Sequence, residues 1–374
     1  LSDLVSAFLP TAEDLVLQGM ERQKVPGCAL ALIEGGETVA VRVFGLADAE
    51  KNELVTEETR FSLQSISKSY AALAVMVLVE EGRLDLDQPI NRYLKRFRVT
   101  AAGGAFDLDL VTPRRLLSHH AGVTEAGFRG VGLDQPGFTL IDAMQGRLPP
   151  PTEAQERHYA YWGLRRDDDL VAVTHPPGEG WRYSNAGFGL LELAIEDITG
   201  LSYAAFVEER LLRPLGLSRT GFERIEGLPF ASPHDREGRV TADYRWLCRA
   251  AGGAYATVGD LAAFAGAEMA GGEGTPPGRG VVSPASLAIL HTPHGDADSL
   301  PDLPMKAGLG HILVDAGGVL NVHHSGGSIG WRSIYSIFPT LGSGICMVMN
   351  GEAANELWQP VVRAWTEAVL KRRA

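Results

Sequence analysis

The chain has 374 residues, 45% hydrophobic and 21% charged, a balance that builds a full core in one large or two ordinary domains. Lysine and arginine number 34 against 46 acidic residues, and the net charge of −12 argues against nucleic acid or an anionic membrane surface as partner. The longest apolar run, Ala71 to Val79, falls far short of the roughly 20 residues that span a bilayer, and three scattered cysteines exclude a disulfide framework or a Cys-rich zinc module. Cys28, Cys248 and Cys346 are expected as small core residues. The sequence opens at Leu1 without a signal-peptide pattern, which leaves bacterial cytoplasm, periplasm and secretion all open.

In chain order, Asp14 to Arg22 reads as a helix. Cys28 to Ile33 and Thr38 to Phe44 follow as two strands of a hairpin, joined by the turn Glu34-Gly35-Gly36-Glu37. From Ser65 to Glu81 the pattern is a helix apolar on all faces, hence buried. Helical segments then alternate with Gly/Pro-rich loops such as Gly146 to Pro151 and Gly271 to Gly280. Strand signals return at Gly308 to Val314, Val319 to His323, Trp331 to Phe338 and Gly344 to Met349. A last amphipathic helix, Glu356 to Leu370, ends in Lys371-Arg372-Arg373, where cations suit a helix C-terminus. Strands at both ends with helices between them predict one sheet assembled from both termini, flanked by terminal helices and interrupted by a large helical insertion. The expected division is 1–62 with 300–374 for the sheet and 63–299 for the insertion, with the site between them.

Three short constellations carry chemistry. Ser65-Ile66-Ser67-Lys68 puts a serine at a helix start and a lysine on the same face one turn later. Only six of the 34 cations are lysine, and this one falls in an apolar helix. Desolvation there favours the neutral amine, which can accept a serine proton; arginine could not. Tyr183-Ser184-Asn185 follows the turn cluster Pro177-Gly178-Glu179-Gly180 and precedes an apolar helix from about Gly187 to Ile198, which places a phenol and a carboxamide on a loop edge. His324-Ser325-Gly326-Gly327 follows the strand Val319 to His323, where small residues let a substrate backbone approach and free an N–H for an oxyanion. Each motif alone is also what an N-cap, a turn or a Gly-rich hairpin would show.

Together, in this order and context, the three resemble the S-x-x-K, Y-x-N and K-T-G or H-x-G motifs of the class C β-lactamase and penicillin-binding protein family; a related class A set is a known pattern. Val25-Pro26-Gly27, Leu116 to Gly122, Pro214-Leu215-Gly216-Leu217, Gly252 to Thr257 and Asp260-Leu261 resemble further family landmarks, so the likeness runs from about residue 20 to 350. The resemblance implies a β-lactamase/transpeptidase-like α/β fold. It also implies a serine hydrolase acting through an acyl-serine, with Ser65, Lys68 and Tyr183 catalytic and the Ser65 and Gly327 N–H groups as oxyanion hole. Asn185, His324, Ser325 and Gly326 would bind substrate, with no cofactor and no metal. His324 stands where β-lactamases usually carry lysine, and Ser325 where they carry threonine. That departure favours an esterase or D-amino-acid peptidase over a true β-lactamase or DD-carboxypeptidase. A longer span between Ser65 and Tyr183 implies an insertion within Phe128 to Asp169.

Two rivals are weaker. Gly326-Gly327-Ser328-Ile329-Gly330 matches the G-x-S-x-G nucleophile elbow, but that elbow needs a helix directly after it, and the alternation of Ile334, Ser336 and Phe338 predicts a strand. Neither H-E-x-x-H nor H-x-H-x-D occurs, and His119-His120 reads as a structural loop pair. A non-catalytic sensor or scaffold on the same fold is the remaining alternative. The expected partner is a small molecule or peptide, and nothing in the sequence indicates the oligomeric state.

Overall fold

A computed structural model describes residues 2–125, 130–135, 137–162, 170–224, 227–298 and 304–373. Its centre is an eight-stranded sheet. The N-terminal part supplies β1 (Gly27–Glu34), β2 (Glu37–Asp48) and β3 (Glu53–Leu54). Short β4 (Phe61–Ser62), β5 (Val131–Gly132), β6 (Tyr244–Arg245) and β7 (Tyr255–Ala256) make two small two-stranded pairs, β4 with β7 and β5 with β6. The C-terminal part supplies β8 (Met305–Ala307), β9 (Ile312–Asp315), β10 (Leu320–Ser328), β11 (Trp331–Phe338) and β12 (Ser343–Met349). The order is β3-β2-β1-β12-β11-β10-β9-β8, antiparallel throughout. The two ends of the chain meet where β1 pairs with β12, with Cys28 opposite Met349. This is the sheet expected from the sequence.

Alternation decides which face each strand residue serves. Cys28, Leu30 and Leu32 of β1, with Ile345 and Met347 of β12, pack beneath the terminal helices α1 (Asp3–Gln23) and α11 (Asn355–Arg373), where Phe8 and Trp365 lie 4.9 Å apart between ring centroids. Ala29, Ala31 and Ile33 point to the opposite face, into a larger core shared with the middle of the chain. There lie α2 (Ser67–Glu80), α3 (Pro113–Leu117), α4 (Leu140–Met144), α5 (Glu153–Trp162), α6 (Asn185–Thr199), α7 (Tyr203–Val207), α8 (Arg249–Gly252), α9 (Val258–Ala267) and α10 (Pro284–Leu290). Helix α9, from within the expected insertion, packs directly on β1, β2, β11 and β12. The three cysteines are free and buried, and no helix among the described residues is long and apolar enough to cross a membrane.

Three local expectations need correction. The stretch read as a strand, Gly308 to Val314, opens with a turn, Gly308 to His311, in which Gly310 takes a φ of +72°, and its strand, β9, starts only at Ile312. Strand β10 runs on to Ser328 instead of ending at His323, so the third motif lies inside a strand. The first helix begins at Asp3, well before Asp14, and carries Pro10 in its interior. The expected insertion at Phe128 to Asp169 falls partly outside the described residues.

Candidate active site

Ser65 sits in a single 3₁₀ turn, Gln64–Ile66, that leads into α2. The turn is held in place on both sides. The Ser67 hydroxyl donates to the Gln64 carbonyl at 2.6 Å and accepts from the Ala254 N–H at 2.9 Å, and the Ser333 hydroxyl of β11 donates to the Leu63 carbonyl at 2.7 Å. Gln64 has a φ of +49°, a left-handed conformation that costs a non-glycine residue about 1 kcal/mol and persists only where the surroundings enforce it. Ser65 is half-buried, whereas its neighbours on either side, Gln64 and Ile66, are buried.

Lys68 is fully buried, and its Nζ meets three oxygens: Ser65 Oγ at 3.1 Å, Asn185 Oδ1 at 2.7 Å and the Ala251 carbonyl at 2.8 Å. Burial pulls its pKa down from 10.5 to about 7. A neutral amine has two hydrogens and one lone pair. The two carbonyl-type oxygens can only accept, so they take the hydrogens, and the lone pair faces the one partner with a proton to give, Ser65. Such an arrangement can act chemically as a general base toward the hydroxyl.

Tyr183 is a second titratable group beside the serine. Burial raises the phenol above its ordinary range, and interaction with the Ser65 hydroxyl offsets this only in part, so it stays protonated at neutral pH. Lys68 Nζ stands 4.8 Å from the centre of the Tyr183 ring. Asn185 is not on the loop edge but is the first residue of α6, capped by Ser184, whose hydroxyl accepts from the Gly187 N–H at 2.9 Å. Its place in the first helical turn aims the carboxamide at Lys68.

His324 is buried in β10, its Nδ1–H donating to the Ser325 carbonyl at 2.8 Å. Burial, aided by the nearby Lys68 charge, lowers its pKa to about 3, so the ring is neutral. Ser325 and Gly327 are exposed and alternate with buried His324, Gly326 and Ser328. Strand β9 covers β10 only as far as His323, whereas β11 pairs with it through Ser328. Among the described residues, one edge of β10 from His324 onward therefore has no strand partner, and its backbone groups are available to a ligand. Gly326 makes this possible: a Cβ there would sit 2.2 Å from the Leu63 carbonyl, so only glycine lets β10 lie against the turn that carries Ser65.

Ser328 ends β10 and is followed by the tight Ile329-Gly330 turn into β11, with no helix, so it lacks the elbow geometry. His119 proves more than a loop residue. It has a φ of +61°, its Nδ1 accepts from the Ser184 N–H at 3.0 Å, and its ring lies 4.4 Å from that of Tyr183. The sequence shows it only as part of a loop pair, because its partners are some sixty residues away. Ala251, which contributes only a carbonyl, and Glu192, which accepts the Ala250 N–H, carry no local sequence signal either.

The sequence matches the Beta-lactamase family over residues 12–369. The chain belongs to the beta-lactamase family. Among curated relatives, Esterase EstB of Burkholderia gladioli is 33% identical over 232 residues, 62% of this chain and 56% of that one. The chain thus spans about half the length of the curated relatives it matches. Among solved structures, the octameric penicillin-binding protein homologue from Pyrococcus abyssi aligns at a TM-score of 0.74 with 25% identity, covering 97% of this chain and 77% of that one. The D-amino acid amidase from Ochrobactrum anthropi SV3 aligns over the whole of both chains at a TM-score of 0.71 and 23% identity. The beta-lactamase family fold therefore accounts for the full described architecture, including the sheet built from both termini.

Proposed function

We propose that this protein is a serine hydrolase that cleaves an ester or amide through an acyl-Ser65 intermediate. Ser65 Oγ attacks the carbonyl carbon while Lys68, as the neutral amine, takes its proton. The phenol of Tyr183 passes a proton to the leaving group as the carbonyl bond to it breaks and regains one from Lys68; water then attacks the acyl carbonyl, gives its proton through the same pair to Ser65 Oγ, and releases the acid. The backbone N–H groups of Ser65 and Gly327 hold the oxyanion, a contribution of about 3–4 kcal/mol per donor. Asn185 holds Lys68 and an acyl amide, and the free edge of β10 at His324, Ser325 and Gly326 receives the rest of the substrate.

The observation that carries this reading is the three-oxygen environment of Lys68, which leaves the neutral amine no proton acceptor role except toward Ser65. The resemblance to an esterase at 33% identity supports an ester substrate. So does the neutral His324, which offers no fixed cation for a substrate carboxylate. We also propose that 1–62 and 300–374 form one lobe and 63–299 an inserted one. The meeting of β1 with β12 supports that division, with α9 acting as the contact between lobes.

Covalent labelling by a fluorophosphonate tests the function. The wild-type protein should be labelled, Ser65→Ala should not, and Ser328→Ala should label normally. Label lost only in Ser328→Ala moves the nucleophile to the other serine; no label in any form leaves a non-catalytic scaffold.

A further inference from the structure

Behind α2, away from the Ser65 cleft, three residues from distant parts of the chain converge. Glu268 caps the C-terminus of α9, His291 caps the C-terminus of α10, and His311 ends the turn before β9. Side-chain exposure is 9% for His291 and 0% for the other two. The His291 and His311 Nε2 atoms lie 2.8 and 3.1 Å from the same carboxylate oxygen, Glu268 Oε2, and one donor atom from each of the three residues falls within 4.8 Å of the others. Nothing in the Ser65 chemistry uses this cluster.

Hydrogen bonding fixes one of the rings. His311 Nδ1 is 2.7 Å from the Leu309 carbonyl, which can only accept, so that nitrogen carries the proton. In the neutral ring, Nε2 is then a lone pair facing a carboxylate. Two lone pairs 3.1 Å apart in a buried site repel unless a positive centre lies between them, either a second proton on His311 or a metal ion.

We propose that Glu268, His291 and His311 form a three-donor binding site for one zinc-class divalent transition-metal ion, with the fourth tetrahedral position left to a water on the His291 side. Two imidazole nitrogens and one carboxylate oxygen are a donor set suited to zinc and poorly suited to calcium or magnesium, which take oxygen donors. The ring centroids of the two histidines are 5.2 Å apart and their planes lie at 80°. Two imidazoles bonded at about 2.1 Å to one tetrahedral ion have centroids separated by about that distance. The donors would need to open by roughly half an ångström to reach tetrahedral spacing. The C-terminal end of α9 faces the same point, and a helix C-terminus favours a cation. The Leu309 carbonyl on His311 Nδ1 is the kind of outer contact that orients a metal-bound histidine.

The site ties together elements that support the cleft. The turn carrying His311 rests on α2: the Ser69 hydroxyl donates to the Gly310 carbonyl at 2.9 Å, and a Cβ on Gly310 would fall 2.8 Å from the Lys68 carbonyl. A bound ion would clip the ends of α9 and α10 to that turn.

The test is zinc binding to the chelator-treated full chain, read by metal content after gel filtration, by thermal denaturation, and by the visible absorption of a cobalt-substituted sample. One zinc per chain, a rise in Tm of several degrees and a tetrahedral cobalt spectrum are expected. His311→Gln and His291→Ala should each weaken zinc binding at least about a hundredfold. His291 lies at the rim of the cluster, so its variant remains informative if His311→Gln fails to fold. No retained zinc with an unchanged Tm, or one zinc kept with full affinity in His291→Ala, would overturn the proposal, and the first result would make the cluster a proton-held clip. None of these readouts depends on hydrolytic activity, so they stand or fall separately from the proposed function.

Discussion

The Glu192 carboxyl accepts the Ala250 N–H at 2.8 Å, one residue before the carbonyl that receives a hydrogen from Lys68. Glu192 is buried on α6, two turns beyond Asn185, so one helix presents both the carboxamide that touches Lys68 and the carboxyl that steadies its third partner. Burial raises the Glu192 pKa to about 8, which keeps it a neutral acid at neutral pH.

This raised pKa gives a stability prediction with a definite sign. The folded protein holds a proton on Glu192 that the unfolded chain releases near pH 4.5, so its stability falls as pH rises from about 4.5 to about 8. Glu192→Gln keeps the acceptor and removes the titration. Chemical denaturation should show the variant gaining on the wild type across that window, with a flat difference below it. A constant difference at all pH values would show that Glu192 does not titrate in the folded state.

The Lys68 environment predicts the pH profile of turnover. The amine becomes neutral as pH rises through about 7, so kcat/KM on an ester should climb on the acid side with a midpoint near that value. His324, at about 3, and His119, held well below its ordinary range by burial, do not titrate there, and Tyr183 stays protonated. Lys68→Arg should lose at least about a hundredfold in rate. Near-normal turnover in that variant would make Lys68 a structural cation only.

His324 predicts substrate preference. With a neutral imidazole in β10, short-chain p-nitrophenyl esters should be cleaved with higher kcat/KM than nitrocefin, and His324→Lys should move the ratio toward nitrocefin. Arg332 is buried on β11, where its Nη1 donates to the Ser328 and Trp331 carbonyls at 2.6 Å each. A wild-type preference for nitrocefin would point to a true β-lactamase.

Gly326 predicts a loss of both stability and activity. Gly326→Ala drives a Cβ to 2.2 Å from the Leu63 carbonyl and 2.5 Å from Ser333 Oγ, so β10 must move away from the turn holding Ser65. Overpacking of this kind costs about 1–3 kcal/mol. Urea denaturation should show that loss, and ester turnover should fall with it. Gly272→Ala, where a Cβ meets nothing within 4 Å, is the control and should behave as wild type.

The sequence by itself determined the pieces with a local signature. The short, turn-bounded apolar runs of β1 and β12, the all-apolar α2 and the S-x-x-K spacing follow from neighbours a few residues apart, and so did the rejection of Ser328, since the pattern after it is a strand. Tertiary structure decided everything that depends on distant partners. Strand β10 continues through the third motif because β11 pairs with it as far as Ser328, although Gly326 and Gly327 look like a strand end. His119 joins Tyr183 and Ser184 only after the loops fold together. Glu192, spaced like any core position of α6, becomes a buried acid because α8 brings the Ala250 N–H to it. The low pKa of Lys68 could be anticipated from its apolar helix, but the direction of its lone pair could not. That direction is set by two carbonyl oxygens, on Asn185 and Ala251, that lie more than a hundred residues from it in sequence.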